Sequence, residues 1–171
     1  FDDAIKDYSE AIKIDPEGSL YLSERGWVKY LKEDYDAALI DFNKSLELNP
    51  NDEVYFDRSF VKAELGDFYG AIGDVSKAIE LKAKSEYFAE LGNLKADIGD
   101  YKRAIPDILK AIVLDPENIE FKYLLILFTH NSGKSKEAFE KLNQNLKNLL
   151  NTPYAPLFYD LRGIIKIGLN E

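Results

Sequence analysis

Apolar residues recur at helical spacing along nearly the whole chain, in segments separated by short polar turns. The segment FDDAIKDYSEAIKIDP at 1–16 has three further copies with similar apolar positions, namely YDAALIDFNKSLELNP at 35–50, FYGAIGDVSKAIELKA at 68–83 and YKRAIPDILKAIVLDP at 101–116. One alanine of the pattern returns every 33 or 34 residues, at Ala4, Ala38, Ala71, Ala104 and Ala138. A second helical segment lies between successive copies, so each period predicts two helices.

Small residues and turn signals fall at fixed places in each period. Gly26 and Gly92 in the first helix, with the repeated alanines in the second, would let two helix axes approach closely. The dipeptides ED at 33–34 and GD at 66–67 and 99–100 would end one helix and cap the next. Helices this short are marginal alone and must bury their apolar faces on their neighbours. The pattern therefore predicts an all-α solenoid of antiparallel helix pairs.

At these positions the sequence resembles the tetratricopeptide repeat family. The matching residues are Gly26, Tyr35, Ala38, Phe42 and Pro50 in one period, and Gly92, Tyr101, Ala104, Ala111 and Pro116 in another. The resemblance extends over essentially the whole chain. It implies about ten helices in a right-handed superhelix. In this family the inner face, lined by the first helix of each pair, usually binds peptides or other proteins.

The predicted organisation is a single array over residues 1–171. Its segments are the second helix of a truncated repeat at 1–18, repeats at 19–52, 53–84, 85–118 and 119–152, and the first helix of a further repeat at 153–171. The last of the four repeats diverges most, with Ile126 in the glycine position. Pro106 falls inside a second helix, which we expect it to bend. The chain begins within a helical pattern and contains no Met, so we expect it to be part of a longer protein.

Cations recur four residues apart in the first helices, and an acid recurs in the second. The helix-pair arrangement predicts three ionic groups, which are Arg25 and Lys29 with Asp41, Arg58 and Lys62 with Asp74, and Lys95 with Asp107. In the fourth repeat Leu125 and Thr129 replace the cations, and Lys141 replaces the acid. Because cations and acid disappear together, we predict that they pair with each other and hold the scaffold. A repeated anion-binding site is the less favoured interpretation.

Charge and composition narrow the possible functions. The chain has 22 Lys and Arg against 31 Asp and Glu, a net charge of −9, which disfavours nucleic acid or an anionic membrane as the main partner. The sequence contains no Cys and one His, so thiolate and multi-His metal sites are excluded. SGKS at 132–135 is interpreted as a turn, because a phosphate loop would need glycine at 128. We predict neither an enzyme nor a bound cofactor or metal. The compartment is left open, with the cytoplasm favoured.

The inner face of the first helices is the predicted ligand-binding groove. Helical phase places sixteen residues there, which are Ser23, Glu24, Trp27, Tyr30, Glu53, Phe56, Asp57, Phe60, Glu86, Glu90, Asn93, Asp97, Glu120, Tyr123, Leu127 and His130. The set is acidic and aromatic and lacks Lys and Arg, which suggests a ligand with basic and apolar residues. Family members that clamp the acidic C-terminal tails of chaperones need Lys, Asn and Arg in this groove. Those positions hold Ser23, Trp27, Asp57 and Glu90, so we do not expect such tails as ligands.

Two interpretations of the groove residues stay open. Trp27 and Phe60 are either an exposed anchor pair for a ligand or rings that pack between neighbouring first helices. The acids either meet a basic ligand or form a solvated face.

Three functions compete. We predict a non-catalytic protein-interaction or scaffold module that binds a peptide or protein segment in the acidic–aromatic groove. The alternatives are a targeting or regulatory domain of a larger enzyme, and homo-oligomerisation through the terminal helices at 1–14 and 157–169.

Overall fold

The computed structural model describes residues 1–149 and 152–169, and every regular element in those ranges is an α-helix. The helices are α1 (Asp2–Ile14), α2 (Ser19–Leu31), α3 (Tyr35–Leu48), α4 (Asp52–Glu64), α5 (Phe68–Leu81), α6 (Ser85–Asp97), α7 (Tyr101–Leu114), α8 (Ile119–Asn131), α9 (Ser135–Leu149) and α10 (Ala155–Leu169). Pro106 is exposed and lies within α7, which is a single helix from Tyr101 to Leu114. The predicted all-α repeat of helix pairs is confirmed.

The chain divides into two compact units, Phe1–Ala83 and Lys84–Glu171. The first contains α1 to α5 and the second contains α6 to α10. Within each unit every helix packs on the next one in sequence. In addition, α2 contacts α4 in the first unit, and α8 contacts α10 in the second. These additional contacts join the first helices of successive pairs.

Each unit buries its own apolar core. In the first unit Phe42 of α3 is fully buried and packs with Val54 and Val61 of α4. In the second unit Ile108 of α7 packs with side chains of α6 and α8, and Ile126 of α8 packs with side chains of α9 and α10. These cores take apolar residues from consecutive helices, so each pair is stabilised by its neighbours.

Two glycines allow the close approach that the repeat pattern predicts. A Cβ atom at Gly26 would lie 3.3 Å from the Ala38 carbonyl oxygen on α3. At Gly92 it would lie 2.8 Å from Ile108 Cδ1 and 3.3 Å from the Ala104 carbonyl oxygen on α7. These distances are shorter than ordinary van der Waals contacts. Therefore α2 packs on α3, and α6 packs on α7, with almost no space between the two helices of each pair.

The turns within the helix pairs share one geometry. Gly66, Gly99 and Gly133 adopt φ angles of 80°, 79° and 89°, and Glu33 adopts 63° at the matching position. An Asp follows the turn residue in three cases and caps the next helix, with Ala37 N, Gly70 N and Arg103 N donating to Asp34, Asp67 and Asp100 respectively. The predicted turns and caps are confirmed, and SGKS at 132–135 forms the turn between α8 and α9.

Candidate functional site

The first ionic group joins α2 to α3. Asp41 is buried and accepts two hydrogen bonds from the Arg25 guanidinium, at 2.8 and 2.7 Å. Lys29 Nζ lies 2.7 Å from a carboxylate oxygen of the same Asp. Arg25 also donates to Ser9 Oγ on α1 at 2.9 Å. The hydrogen bonds with Asp41 raise the pKa of Arg25 above its ordinary value.

The same arrangement returns between α4 and α5. Arg58 donates to both carboxylate oxygens of buried Asp74, at 2.7 and 2.6 Å, and Lys62 Nζ lies 2.8 Å from one of them. Between α6 and α7, Lys95 pairs with Asp107 alone. These contacts confirm the predicted pairing of cations and acids. The two Asp–Arg pairs are bidentate, which fixes the relative position of the two helices.

The pair α8 and α9 closes without such a group. Thr129 is buried, and its hydroxyl donates to the Leu125 carbonyl oxygen at 2.6 Å. Lys141 stands in the position of the acid and lies 3.6 Å from Glu137 of its own helix. Where the acid is replaced, both cations are replaced with it, and the ionic groups of α2 to α7 belong to the scaffold.

On the predicted groove side of α2 and α4, four rings follow one another in an aromatic run formed by Trp27, Tyr30, Phe60 and Phe56. Trp27 stacks on Tyr30 with ring centroids 5.0 Å apart, Tyr30 lies 6.5 Å from Phe60, and Phe60 meets Phe56 edge to face at 4.8 Å. All four are half-buried, and Trp27 and Tyr30 also pack on the core of the first unit. Of the two open interpretations of Trp27, packing against its neighbours is observed, because the ring is partly covered by Tyr30 and by the core of the first unit. Each ring still keeps part of its surface in solvent.

Next to the aromatic run lies an acidic pocket with a volume of about 160 Å³. Its lining residues are Ser19, Leu20, Ser23, Glu24, Ser45, Asn49, Asn51, Glu53, Val54 and Asp57. Three carboxylates face it and no Lys or Arg lines it. The hydroxyls of Ser23 and Ser45 donate to the backbone carbonyl oxygens of Leu20 and Ser19, at 2.9 and 2.8 Å.

The acidic pocket brings together four of the predicted groove residues, Ser23, Glu24, Glu53 and Asp57. The repeat pattern did not identify Ser19, Asn49 and Asn51, because they lie at the start of α2 and between α3 and α4. A signal was present at Asn51, which precedes a helix start. Its side chain accepts hydrogen bonds from Glu53 N and Val54 N at 2.8 and 3.2 Å.

In the second unit, α6 carries three of the predicted groove acids, Glu86, Glu90 and Asp97. Glu86 and Asp97 are exposed, whereas Glu90 is half-buried and accepts a hydrogen bond from Asn93 at 3.5 Å. Burial raises the pKa of Glu90 above its ordinary value, and the charge of Asp97 adds to the effect. Partial desolvation also raises the pKa of Asp97, although its side chain is exposed. Glu90 and Asp97 therefore bind protons more readily than fully solvated carboxylates do.

The remaining predicted groove residues lie on α8, where three of them contact neighbouring elements. Tyr123 packs edge to face on Phe158 of α10, with ring centroids 5.7 Å apart. His130 Nδ1 lies 3.0 Å from Ser135 Oγ, and its ring also borders Gly168. Glu120 is exposed, and Leu127 packs against the core. Tyr123 and His130 thus have structural contacts within the second unit.

Within residues 1–149 and 152–169, none of the helices combines the length and apolar character needed to cross a bilayer. In the same ranges, no group of three or more His, Cys, Asp or Glu side chains is arranged to hold a metal ion.

The helix pairs, shared turn geometry and repeated ionic groups define a helical-repeat protein. Residues 19–52 match a family model described as tetratricopeptide repeat, and residues 85–118 match a second model of the same description. A human relative, tetratricopeptide repeat protein 13, is 34% identical over 71 residues. That match covers 37% of this chain and only 8% of the human protein. Two segments of the chain are therefore tetratricopeptide repeats by sequence, which supports this family for the chain.

Solved structures share this fold. One is YrrB, described as a tetratricopeptide repeat protein with an unusual peptide-binding site, with a TM-score of 0.77 and 18% identity over 95% of this chain and 84% of YrrB. Another is the first repeat domain of Spaghetti (RPAP3) bound to the HSP90 peptide SRMEEVD. It has a TM-score of 0.65 and 21% identity over 70% of this chain and 96% of that domain. The fold supports a protein-interaction scaffold, and proteins of this family are generally non-catalytic.

Proposed function

We propose that this chain is an interaction module that binds a peptide or protein segment containing Lys or Arg beside an aromatic or aliphatic residue. The observation that carries the proposal is the adjacency of the acidic pocket and the aromatic run on the groove side of α2 and α4. A basic side chain would enter the pocket, and the neighbouring apolar residue would lie on the rings.

The chemistry of the pocket supports a basic ligand. Glu24 is exposed and Asp57 is half-buried, and together with Glu53 they give the lining a negative charge. A volume of about 160 Å³ is sufficient for one long side chain and is too small for a folded domain. A bound ammonium or guanidinium would form charge-assisted hydrogen bonds there, which are stronger than neutral ones.

The aromatic run supports an apolar contact beside the charge. Aromatic side chains that are already held in place provide contact area at low entropic cost. Packing of Trp27 on Tyr30 and on the core fixes its ring before a ligand arrives. The two open interpretations of the rings are therefore compatible. Packing on neighbouring residues orders the rings, and the part of their surface that stays in solvent would contact the ligand.

The acids of α6 would extend the preference for basic ligands within the second unit. Glu86, Glu90 and Asp97 repeat the negative character seen in the first unit. Tyr123 and His130 contribute less to the proposal, since their rings contact α10 and Ser135. Acidic peptides such as SRMEEVD, which the related domain of Spaghetti holds, are poor candidates because these surfaces carry carboxylates.

The experiment is selection from a random-sequence phage-displayed peptide library with the 171-residue chain, followed by titration of the selected peptides against Trp27 fluorescence. Trp27 is the single tryptophan, so its emission reports on the aromatic run alone. We expect enrichment of Lys or Arg next to aromatic or aliphatic residues, and weaker binding at high salt. Synthetic SRMEEVD serves as the acidic comparison peptide and should not bind.

Charge reversal in the pocket provides the matched test. Glu24→Lys should weaken binding of the selected peptides by more than about tenfold, since a like charge would then face the ligand. Glu80→Lys makes the same change in charge at an exposed position on α5 and should leave affinity within about twofold. Selection of acidic peptides, or equal effects of the two variants, would refute the proposal.

A further inference from the structure

We propose that the exposed face of α7 is a second docking surface, which binds an amphipathic helix of a partner protein whose apolar side is flanked by Asp or Glu. Within the second unit α7 packs on α6 before it and on α8 after it, so both of its neighbours along the chain are already in place. The acidic pocket and the aromatic run lie in the first unit, and docking on α7 does not depend on them.

The exposed face of α7 consists of an apolar row with cations beside it. Leu109 is 45% exposed and Val113 is 77% exposed, and Pro106 is exposed one turn earlier. These three residues are spaced by three and four positions and therefore lie on one side of the helix. The exposed cations of the same helix are Lys102, Arg103 and Lys110. These six residues form the basic–apolar face.

The apolar row departs from the repeat pattern. When the second helices are aligned on their repeated alanine, the other four hold polar residues at the position of Leu109, namely Ser9, Asn43, Ser76 and Asn143. At the position of Val113 they hold charged residues, namely Lys13, Glu47, Glu80 and Lys147. Since Leu109 and Val113 are exposed, packing within the second unit does not explain the change, whereas a partner on this face would.

In α3 and α5, a lysine beside the corresponding row has an acid to pair with. Lys44 Nζ lies 3.1 Å from a carboxylate oxygen of Glu47, and Lys77 Nζ lies 2.6 Å from one of Glu80. Lys110 aligns with both lysines, but α7 has no acid three residues later. The charge of Lys110 is therefore not neutralised in the way that the repeat provides.

The cations of α7 form a positive surface in an acidic chain. Lys110 Nζ lies 5.3 Å from the centroid of the Phe88 ring, and neither Lys110 nor Lys102 has an acidic partner among residues 1–149 and 152–169. Arg103 pairs with Asp100, and its side chain stays 76% exposed. The single acid of α7 is buried. A partner of complementary charge is therefore acidic.

The spacing of the apolar row favours a helix as the partner. From Pro106 to Val113 the row covers two turns of α7, about 10 Å. Side chains at this spacing form a ridge that can pack against the side chains of another helix. Pro106 contributes its ring to the ridge, although a proline within a helix removes one backbone hydrogen bond. An amphipathic helix with acids beside its apolar side matches both the spacing and the charge.

The probe is a phage-displayed library on a three-helix scaffold. One helix of the scaffold presents Leu at three- and four-residue spacing, with Glu, Lys or Gln at the flanking positions. Selection with the 171-residue chain should enrich Glu, and the affinity of the selected binders, measured by isothermal titration calorimetry, should fall at high salt. Enrichment of Lys or Gln, or failure to select any binder, would overturn the proposal.

The helical scaffold also separates this face from the groove. A short linear peptide would have to fold into a helix on α7, a cost that a preformed helix avoids. The random-sequence library used for the groove should therefore not select for α7. Glu24→Lys, in the acidic pocket, should leave the affinity of the acidic helices within about twofold.

The decisive variant combines Leu109→Asn with Val113→Glu, which gives α7 the residues that α3 holds at these positions. It should keep the circular dichroism spectrum and raise the dissociation constant of the selected binders by more than about thirtyfold. Ile40→Glu, which removes an apolar residue that is 68% exposed on α3, is the control and should leave affinity within about twofold. Equal effects of the two variants would overturn the proposal.

Two further measurements complete the test. Lys102→Glu with Lys110→Glu changes only exposed charges and should raise the dissociation constant by more than about tenfold, so unchanged affinity would overturn the proposal. Sedimentation velocity should show the same association state for the unchanged chain and for the Leu109→Asn, Val113→Glu variant. Association that this variant abolishes would assign the face to a second copy of the chain and overturn the proposal.

Discussion

The helix pairs α4–α5 and α8–α9 are two solutions to the same packing problem. In α4–α5 a buried Asp74 binds two half-buried cations of the facing helix. In α8–α9, Leu125 and Thr129 stand in the cation positions, and the Thr129 hydroxyl bonds to its own helix. Lys141 stands in the position of the acid. Both pairs close on buried apolar residues, so the scaffold does not depend on the ions. The ion pairs fix the relative position of two helices, and removal of one member alone should lower the free energy of unfolding.

The largest effect is expected when the acid of an ionic group is removed. Asp74→Ala would leave Arg58 and Lys62 half-buried without their carboxylate, and should lower the free energy of unfolding by about 3 kcal/mol. The side chains of these cations are 16% and 19% exposed, which allows some relief by water. Urea denaturation followed by circular dichroism measures the loss. Affinity for a selected peptide should change little, because the group lies outside the acidic pocket.

Its control is Glu80→Ala on the same helix, which removes an acid from the exposed pair with Lys77. That change should alter the free energy of unfolding by less than about 1 kcal/mol. Equal losses in the two variants would contradict a structural role specific to Asp74.

The second prediction transfers the ionic group into α8–α9. Thr129→Lys places a cation among buried atoms and should destabilise the chain, whereas Lys141→Asp supplies the acid at the spacing seen for Lys62 and Asp74. In the double variant we expect a favourable coupling energy of about 2 kcal/mol between the two substitutions. The four proteins of the cycle are compared by urea denaturation. Additive effects would mean that the α8–α9 backbones do not approach as the other pairs do.

The helix pairs and their charges could be predicted from the sequence because they recur every 33 or 34 residues. Each alanine, glycine and Asp stands at a spacing that specifies a partner, and the contacts of Asp41 and Asp74 followed from it. The acidic pocket could be predicted only in part. Its Ser19 and Asn49 lie outside the repeated positions, and the partial burial of Trp27 depends on ring rotamers that no period determines.

The third prediction compares two glycines of first helices. Gly92→Ala would bring a Cβ atom to 2.8 Å from buried Ile108 and should destabilise the chain by about 1 kcal/mol after the gain in helix propensity. Gly163→Ala introduces the same methyl group where no atom lies within 4 Å. It should stabilise the chain by about 0.5–1 kcal/mol through helix propensity alone. Thermal unfolding of both variants checks the opposite signs, and a shared sign would contradict the close packing of α6 on α7.

The smallest effect concerns an acid that has no cation to pair with, in contrast to Asp74. Glu90 has no ionic partner among the described residues, and burial raises its pKa above the ordinary value. A raised pKa means that the folded state holds the proton more tightly than the unfolded state does. The stability that this proton contributes is therefore lost as pH rises from the unfolded to the folded pKa. Glu90→Gln keeps an acceptor for Asn93 and removes the charge.

The unfolding free energy of Glu90→Gln relative to the unchanged chain should therefore increase as the pH rises above about 4, the ordinary pKa of a Glu side chain. Subtraction of the two profiles cancels the contribution of every other titrating group that the substitution leaves unaltered. A flat difference for Glu90→Gln would mean that water reaches its carboxylate. In that case the distinction between paired and unpaired acids would apply only to the groups that join two helices.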